Sequence, residues 1–182
     1  MPLIGPAPGE VRAVLEDVLA EYHPELAEAG VTINLLFANS TGNGPAVKLH
    51  GYPCAAVVKI NGLKARVEGV MDATITIDGD AWPDWSTGQR KALIDHELYH
   101  LELAHDAKTG NYKYDDAGRP KLKMRNHDWQ MGGFDAIARR HGQAAFEVQA
   151  VRVLATERGQ MFWAWGDDTA PQDEAPRPRM AV

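Results

Sequence analysis

The sequence predicts an α+β domain, on three observations. Strand-like runs fill most of the first half and helical runs most of the second. The length, 182 residues, suits one domain with a sizeable core, given ~100–200 residues per domain. Hydrophobic residues at 45% and charged residues at 24% are ordinary for a globular chain, and no window approaches the ~18 apolar residues of a membrane span. One domain is expected over residues 1–165. Residues 166–182, rich in Pro and charge, read as a disordered tail.

The N-terminal MPLIGPAPGE lacks the basic stretch and apolar core of a secretory signal, so a cytoplasmic location is expected. Val11, Val14, Leu15, Val18 and Leu19 recur at helical spacing, and His23-Pro24 ends that helix because a residue before proline avoids the helical region. The run 31–38 (VTINLLFA) reads as a strand. Residues 55–60, then Asn61-Gly62, then 63–70 read as a hairpin, since Asn-Gly supplies the positive φ of a tight turn. ATITIDGD, from Ala73, is another strand.

A second helix starts near Ser86, which with Gln89 forms a capping box, and its apolar pattern runs to about Ala104. A second hairpin is expected over 111–125, with turn residues in its middle. Asp128 reads as the cap of a third helix reaching His141 and ended by Gly142. Residues 143 to about 157 form a fourth.

Cys54 is the only cysteine, which excludes an intrachain disulfide and a thiolate-rich metal site. Any metal must therefore be held by His, Asp or Glu. The net charge of −6 argues against broad nucleic-acid binding, although Lys108, Lys113, Arg119, Lys121, Lys123 and Arg125 cluster against only Asp115 and Asp116. A solvated hairpin accounts for that cluster, with an acidic substrate or nucleic acid as the other reading.

The second helix carries the pattern that bears chemistry. At about 100° per residue, His96, Glu97 and His100 share one arc with Leu93 and Ala104. An i, i+4 pair brings two imidazole nitrogens to one point without bending the backbone, as tetrahedral zinc requires. Glu97, at the flank, is placed to take a proton from a water that a cation has acidified, then return it to a leaving amine. Random order of the 7 His and 11 Glu would give this pattern about 0.016 times, so chance explains it poorly. Ile94, Leu98 and Leu101 make the opposite flank apolar and leave Lys91, Asp95 and Glu102 as a narrow polar stripe, so the helix is largely buried. A carboxylate buried there needs a cation or hydrogen-bond partners.

A catalytic zinc takes three protein ligands and leaves a fourth position for water. His105 points away from the arc, and Asp106 would need a bend that Leu103 does not encode. His141 suits a helix C-terminus, where the dipole favours a cation. His127 is the choice: 26 residues separate it from His100, ample to return to the metal, and the adjacent Asp128 can cap a helix or orient an imidazole.

The runs LIDHELYHLE (93–102), PKLKMRNHDW (120–129) and FDAIARRHG (134–142) resemble the phage metallopeptidase family and, more distantly, SprT-like zinc proteases. Where that family often carries acids just before the phenylalanine matching Phe134, this chain has Gly132 and Gly133. The resemblance implies a minimal zincin-like metallopeptidase fold, a small mixed or antiparallel sheet packed on the active-site helix with further helices C-terminal to it. It also implies Zn2+ held by His96, His100 and His127, and Glu97 as general acid/base. A phage- or prophage-derived protein acting on protein or peptide in the host cytoplasm is the expected whole, with no membrane partner.

By analogy with zincins, the strand from Ala73 to Asp78 would be the edge that receives an extended peptide. Tyr112, Tyr114 and Arg125 are the oxyanion-donor candidates. The competing readings are an amidase acting on cell-wall peptide, a non-catalytic zinc-stabilised binding protein using the basic hairpin and MFWAW (161–165), and a SprT-like protease acting on DNA-associated proteins.

Overall fold

The computed structural model describes residues 1–42, 44–49, 51–127 and 133–158. The tail, the 161–165 segment and Asp128 lie outside the described residues, and with them the expected domain boundary at 165.

The fold is α+β, a small mixed sheet carrying helices. Four strands form the sheet: β1 (Leu3–Pro6), β2 (Ile33–Asn39), β5 (Ala56–Ile60) and β6 (Ala73–Asp78), in the order β1-β2-β6-β5. β2 and β6 are parallel, with Leu35 beside Ile75, while β1 and β5 are antiparallel to their neighbours. Alternation puts Ile33, Leu35, Ala73, Ile75, Ile77, Ala56 and Val58 on one face. They pack against Val11, Leu15 and Val18 of α1 (Gly9–Tyr22) and Leu93, Ile94 and Leu98 of α4 (Thr87–Tyr99). His23 closes α1 as expected, and Pro24 opens the short α2 (Pro24–Glu28). β3 (Lys48–Leu49) and β4 (Tyr52–Pro53) form a small ribbon between β2 and β5.

β6 lies inside the sheet, between β2 and β5, so the expectation that Ala73–Asp78 is the open edge is corrected: β5 is the edge on that side. The first expected hairpin is corrected as well. Gly62 has φ −65°, so Asn61-Gly62 makes no positive-φ turn, and residues 63–67 form a helix, α3 (Leu63–Val67). Asn61 instead ties the loop shut, its Nδ2 donating to Met71 O (2.8 Å) and Thr74 Oγ1 (2.9 Å). Helical geometry lets Arg66, 7% exposed, turn inward onto Asp72 (2.7 Å) and Asp115 (3.2 Å). Two ionic partners outweigh the local turn signal.

α4 begins as the sequence predicts, with Ser86 and Gln89 bonding reciprocally at its cap. It ends earlier than expected. His100 is its C-cap, and Leu101-Glu102-Leu103 alternates buried, half-buried, buried as strand β7 (Leu101–Leu103). β7 pairs antiparallel with β8 (Leu122–Met124), and the second hairpin lies between them, its turn closed by Asp115 N donating to Arg119 O with Gly118 at φ +73°. The third helix, α5 (Asp135–His141), starts after an extended Phe134 rather than at residue 128, and Gly142 ends it. α6 (Phe146–Arg158) is the fourth.

Asp95 does not belong to a solvated stripe. It is fully buried, accepting from His23 Nε2 (2.7 Å), Arg140 Nη1 (2.7 Å to each oxygen) and His141 Nε2 (2.6 Å). Burial pushes its carboxyl up, but the three donors hold it well below the usual carboxylate range. The contact fastens α4 to the α1–α2 junction and to α5. Removing one partner of a buried pair costs about 3–5 kcal/mol. Asp95→Ala is accordingly expected to lower urea-measured stability by about that amount.

Candidate metal centre

His96 and His100 project from the last turn of α4, one turn apart. The chain leaves His100 along β7, turns through the hairpin and returns along β8, antiparallel to its own outward path. That return delivers His127 to the helix end it started from. The junction is sealed reciprocally: Arg125 N donates to His100 O (2.8 Å) and His100 Nδ1 donates to Arg125 O (2.7 Å). The hairpin is held by Arg119, whose guanidinium meets Asp72 (3.0 Å) and Thr32 Oγ1 (2.9 Å), and by Arg66 Nη2 donating to Pro120 O (2.9 Å).

Among the described residues, His96, His100 and His127 each offer a nitrogen, and these nitrogens lie within 4.8 Å of one another. The Nε2 atoms of His96 and His127 are 3.2 Å apart. Two nitrogens bound tetrahedrally at ~2.0–2.1 Å would stand ~3.3 Å apart, so the spacing fits a single zinc-sized ion. All three rings are half-buried and pack on Phe134, which is fully buried, with centroids 5.0, 4.6 and 4.9 Å away.

The electrostatics suit a cation. Burial, aided by the neighbouring His96 and His127, lowers His100 to about 4, leaving it neutral with a lone pair near neutral pH. Burial also lowers His96, but its bond to Glu147 and the charges of Glu97 and Glu147 reverse that and raise it. Glu97 is 4% exposed, and burial raises it to about 7, against the pull of His96 and of a hydrogen bond from Val58 N–H.

The sign of the resulting pH dependence is fixed. A carboxyl whose folded pKa lies above its ordinary value contributes stability below that ordinary value and loses it as pH rises through about 7. Without metal, Glu97→Gln is therefore expected to be more stable than the wild type at pH 8, by up to about 3 kcal/mol, a gain that fades toward pH 4.5. Paired urea titrations at the two pH values check it.

Glu147, on α6, had no signal in the sequence: it stands alone in AAFEVQ with no partner at motif spacing. Its Oε1 lies 2.5 Å from His96 Nδ1 and accepts Phe134 N–H at 3.4 Å. His105 is exposed, bonding Gly110 O (3.1 Å), and Asp106 caps its own turn through Lys108 and Thr109. His141 belongs to the Asp95 cluster. Tyr112 and Tyr114 are exposed, and Arg125 lies over the Tyr99 ring (4.4 Å). In the basic hairpin, Lys113 faces Asp106 (3.9 Å), Lys123 faces Glu102 (3.4 Å) and Arg119 is bound inward to Asp72 (3.0 Å).

A family model described as "Putative phage metallopeptidase" matches residues 6–157, a span that includes all three histidines, Glu97 and Glu147. The chain belongs to that family. It matches no curated protein and no solved structure. A phage metallopeptidase implies a metal and a protein substrate, and the histidine cluster can hold such a metal. Among the described residues, no helix is long and apolar enough to cross a membrane.

Proposed function

We propose that this chain is a zinc peptidase in which His96, His100 and His127 hold the metal and Glu97 is the general acid/base. The observation that carries the reading is the convergence of three imidazoles beside a buried glutamate whose proton affinity is raised to near neutrality. Three imidazoles and no thiolate suit zinc in an open, catalytic arrangement. When bound, the metal would supply the charge that acidifies a water and polarises the scissile carbonyl.

The chain's own residues do the rest. Glu97, tuned toward the operating pH, takes a proton from the attacking water and passes it to the leaving amine. Phe134 closes the apolar floor under the histidines, which strengthens every electrostatic contact above it. The sheet edge that would receive an extended peptide is β5, whose Val58 N–H already touches the Glu97 carboxylate.

Incubation of zinc-loaded protein with a bacterial lysate, followed by mapping of new protein termini, tests the activity. New termini that vanish with a chelator and return with zinc support it. An unchanged terminus profile from fully zinc-loaded protein contradicts it.

A further inference from the structure

We infer that Glu147 is a positioning residue for the metal centre: it fixes the tautomer and ring angle of His96, and through it cation binding and the docking of α6 reinforce each other. The inference rests on the three-histidine reading above and asks how those rings are held.

An ionised carboxylate only accepts hydrogen bonds, and Glu147 Oε1 lies 2.5 Å from His96 Nδ1. The proton must therefore sit on Nδ1, which leaves the lone pair on Nε2, the atom that faces His127 Nε2 at 3.2 Å. His100 obeys the same rule with a different acceptor: Arg125 O can only accept, so Nδ1 again carries the hydrogen. Two rings on one helix thus present the same nitrogen, each set by a partner from another segment of the chain.

The carboxylate cannot easily swing away. Its side chain is 3% exposed, and the oxygen that meets His96 also accepts Phe134 N–H.

Glu147 stands in the first turn of α6, a helix also tied to the α4 region by Phe146 against Trp85 (ring centroids 5.1 Å) and by Gln149 with Gln89 (3.3 Å). A carboxylate bridging α6 to a metal ligand makes the two events reciprocal: whatever α6 docking adds to cation affinity, the cation adds to α6 docking.

Glu147→Gln keeps the volume and removes the charge. Chelator-competition titration should show zinc binding weakened by roughly 10–100-fold relative to wild type. Zinc should slow amide hydrogen exchange along α6 in the wild type, and much less in the variant. A merely structural Glu147 would lower the unfolding midpoint of the zinc-free protein and leave zinc affinity unchanged, which would overturn the proposal. Should the variant fail to fold, 15N spectra of the wild-type imidazoles decide: His96 protonated on Nδ1 supports the assignment, and Nε2 protonation refutes it. Failure of the wild type itself to bind zinc would remove the three-histidine reading and this proposal together, whereas equal affinity in both proteins removes this one alone.

Discussion

Glu97→Gln should bind zinc like the wild type and lose hydrolysis. The substitution keeps shape and hydrogen-bonding capacity, so Val58 N–H retains an acceptor and the buried position stays filled. What disappears is the ability to take and return a proton near neutral pH, and such acid–base groups contribute roughly 10²–10⁴-fold in rate. A fall in kcat/KM of at least that size is expected at unchanged metal content, measured on one preparation by metal analysis and by release of peptide fragments. Retained activity in zinc-loaded variant would mean that another group moves the proton.

His127→Ala should abolish tight zinc binding. Losing an outer-sphere partner typically costs 10–100-fold in affinity, and losing one of three ligands should exceed that range. His105→Ala is the matched control, because His105 is exposed and meets only its own hairpin, bonding Gly110 O and lying against the Tyr112 ring (4.8 Å) among the described residues. Its affinity should equal that of the wild type. The pair separates loss of a ligand from loss of any histidine, and isothermal titration with zinc reads both. Equal affinity for His127→Ala would require a different third donor.

The parts legible in the sequence are those governed by local periodicity. The Ser86–Gln89 capping box, the strands around Leu35 and Ile75, the end of α1 at His23-Pro24 and the Gly142 stop each need only neighbouring residues to be satisfied. The side-chain arc of His96, Glu97 and His100 is likewise a property of one helix. What the sequence concealed is set by distant charge. Asp95 looks like a surface residue by helical position, yet donors 72 and 45–46 residues away draw it into the core. Asn61-Gly62 carries a strong hairpin signal, overridden because Arg66 gains two ionic partners as part of a helix. Glu147 acts through His96, 51 residues upstream, and neither residue's immediate neighbours encode the meeting. The end of α4 falls between these cases. Leu101-Glu102-Leu103 fits period two as well as the helical stripe, and the partner strand β8 decides in favour of β7.

The central claim, a single cation held by three imidazole nitrogens with one position left open, is tested most directly by X-ray absorption at the zinc edge on stoichiometrically loaded protein. The account predicts three imidazole nitrogens at ~2.0–2.1 Å and one light, exchangeable oxygen donor. A shell with two imidazoles, or one closed by a fourth protein ligand, would contradict it.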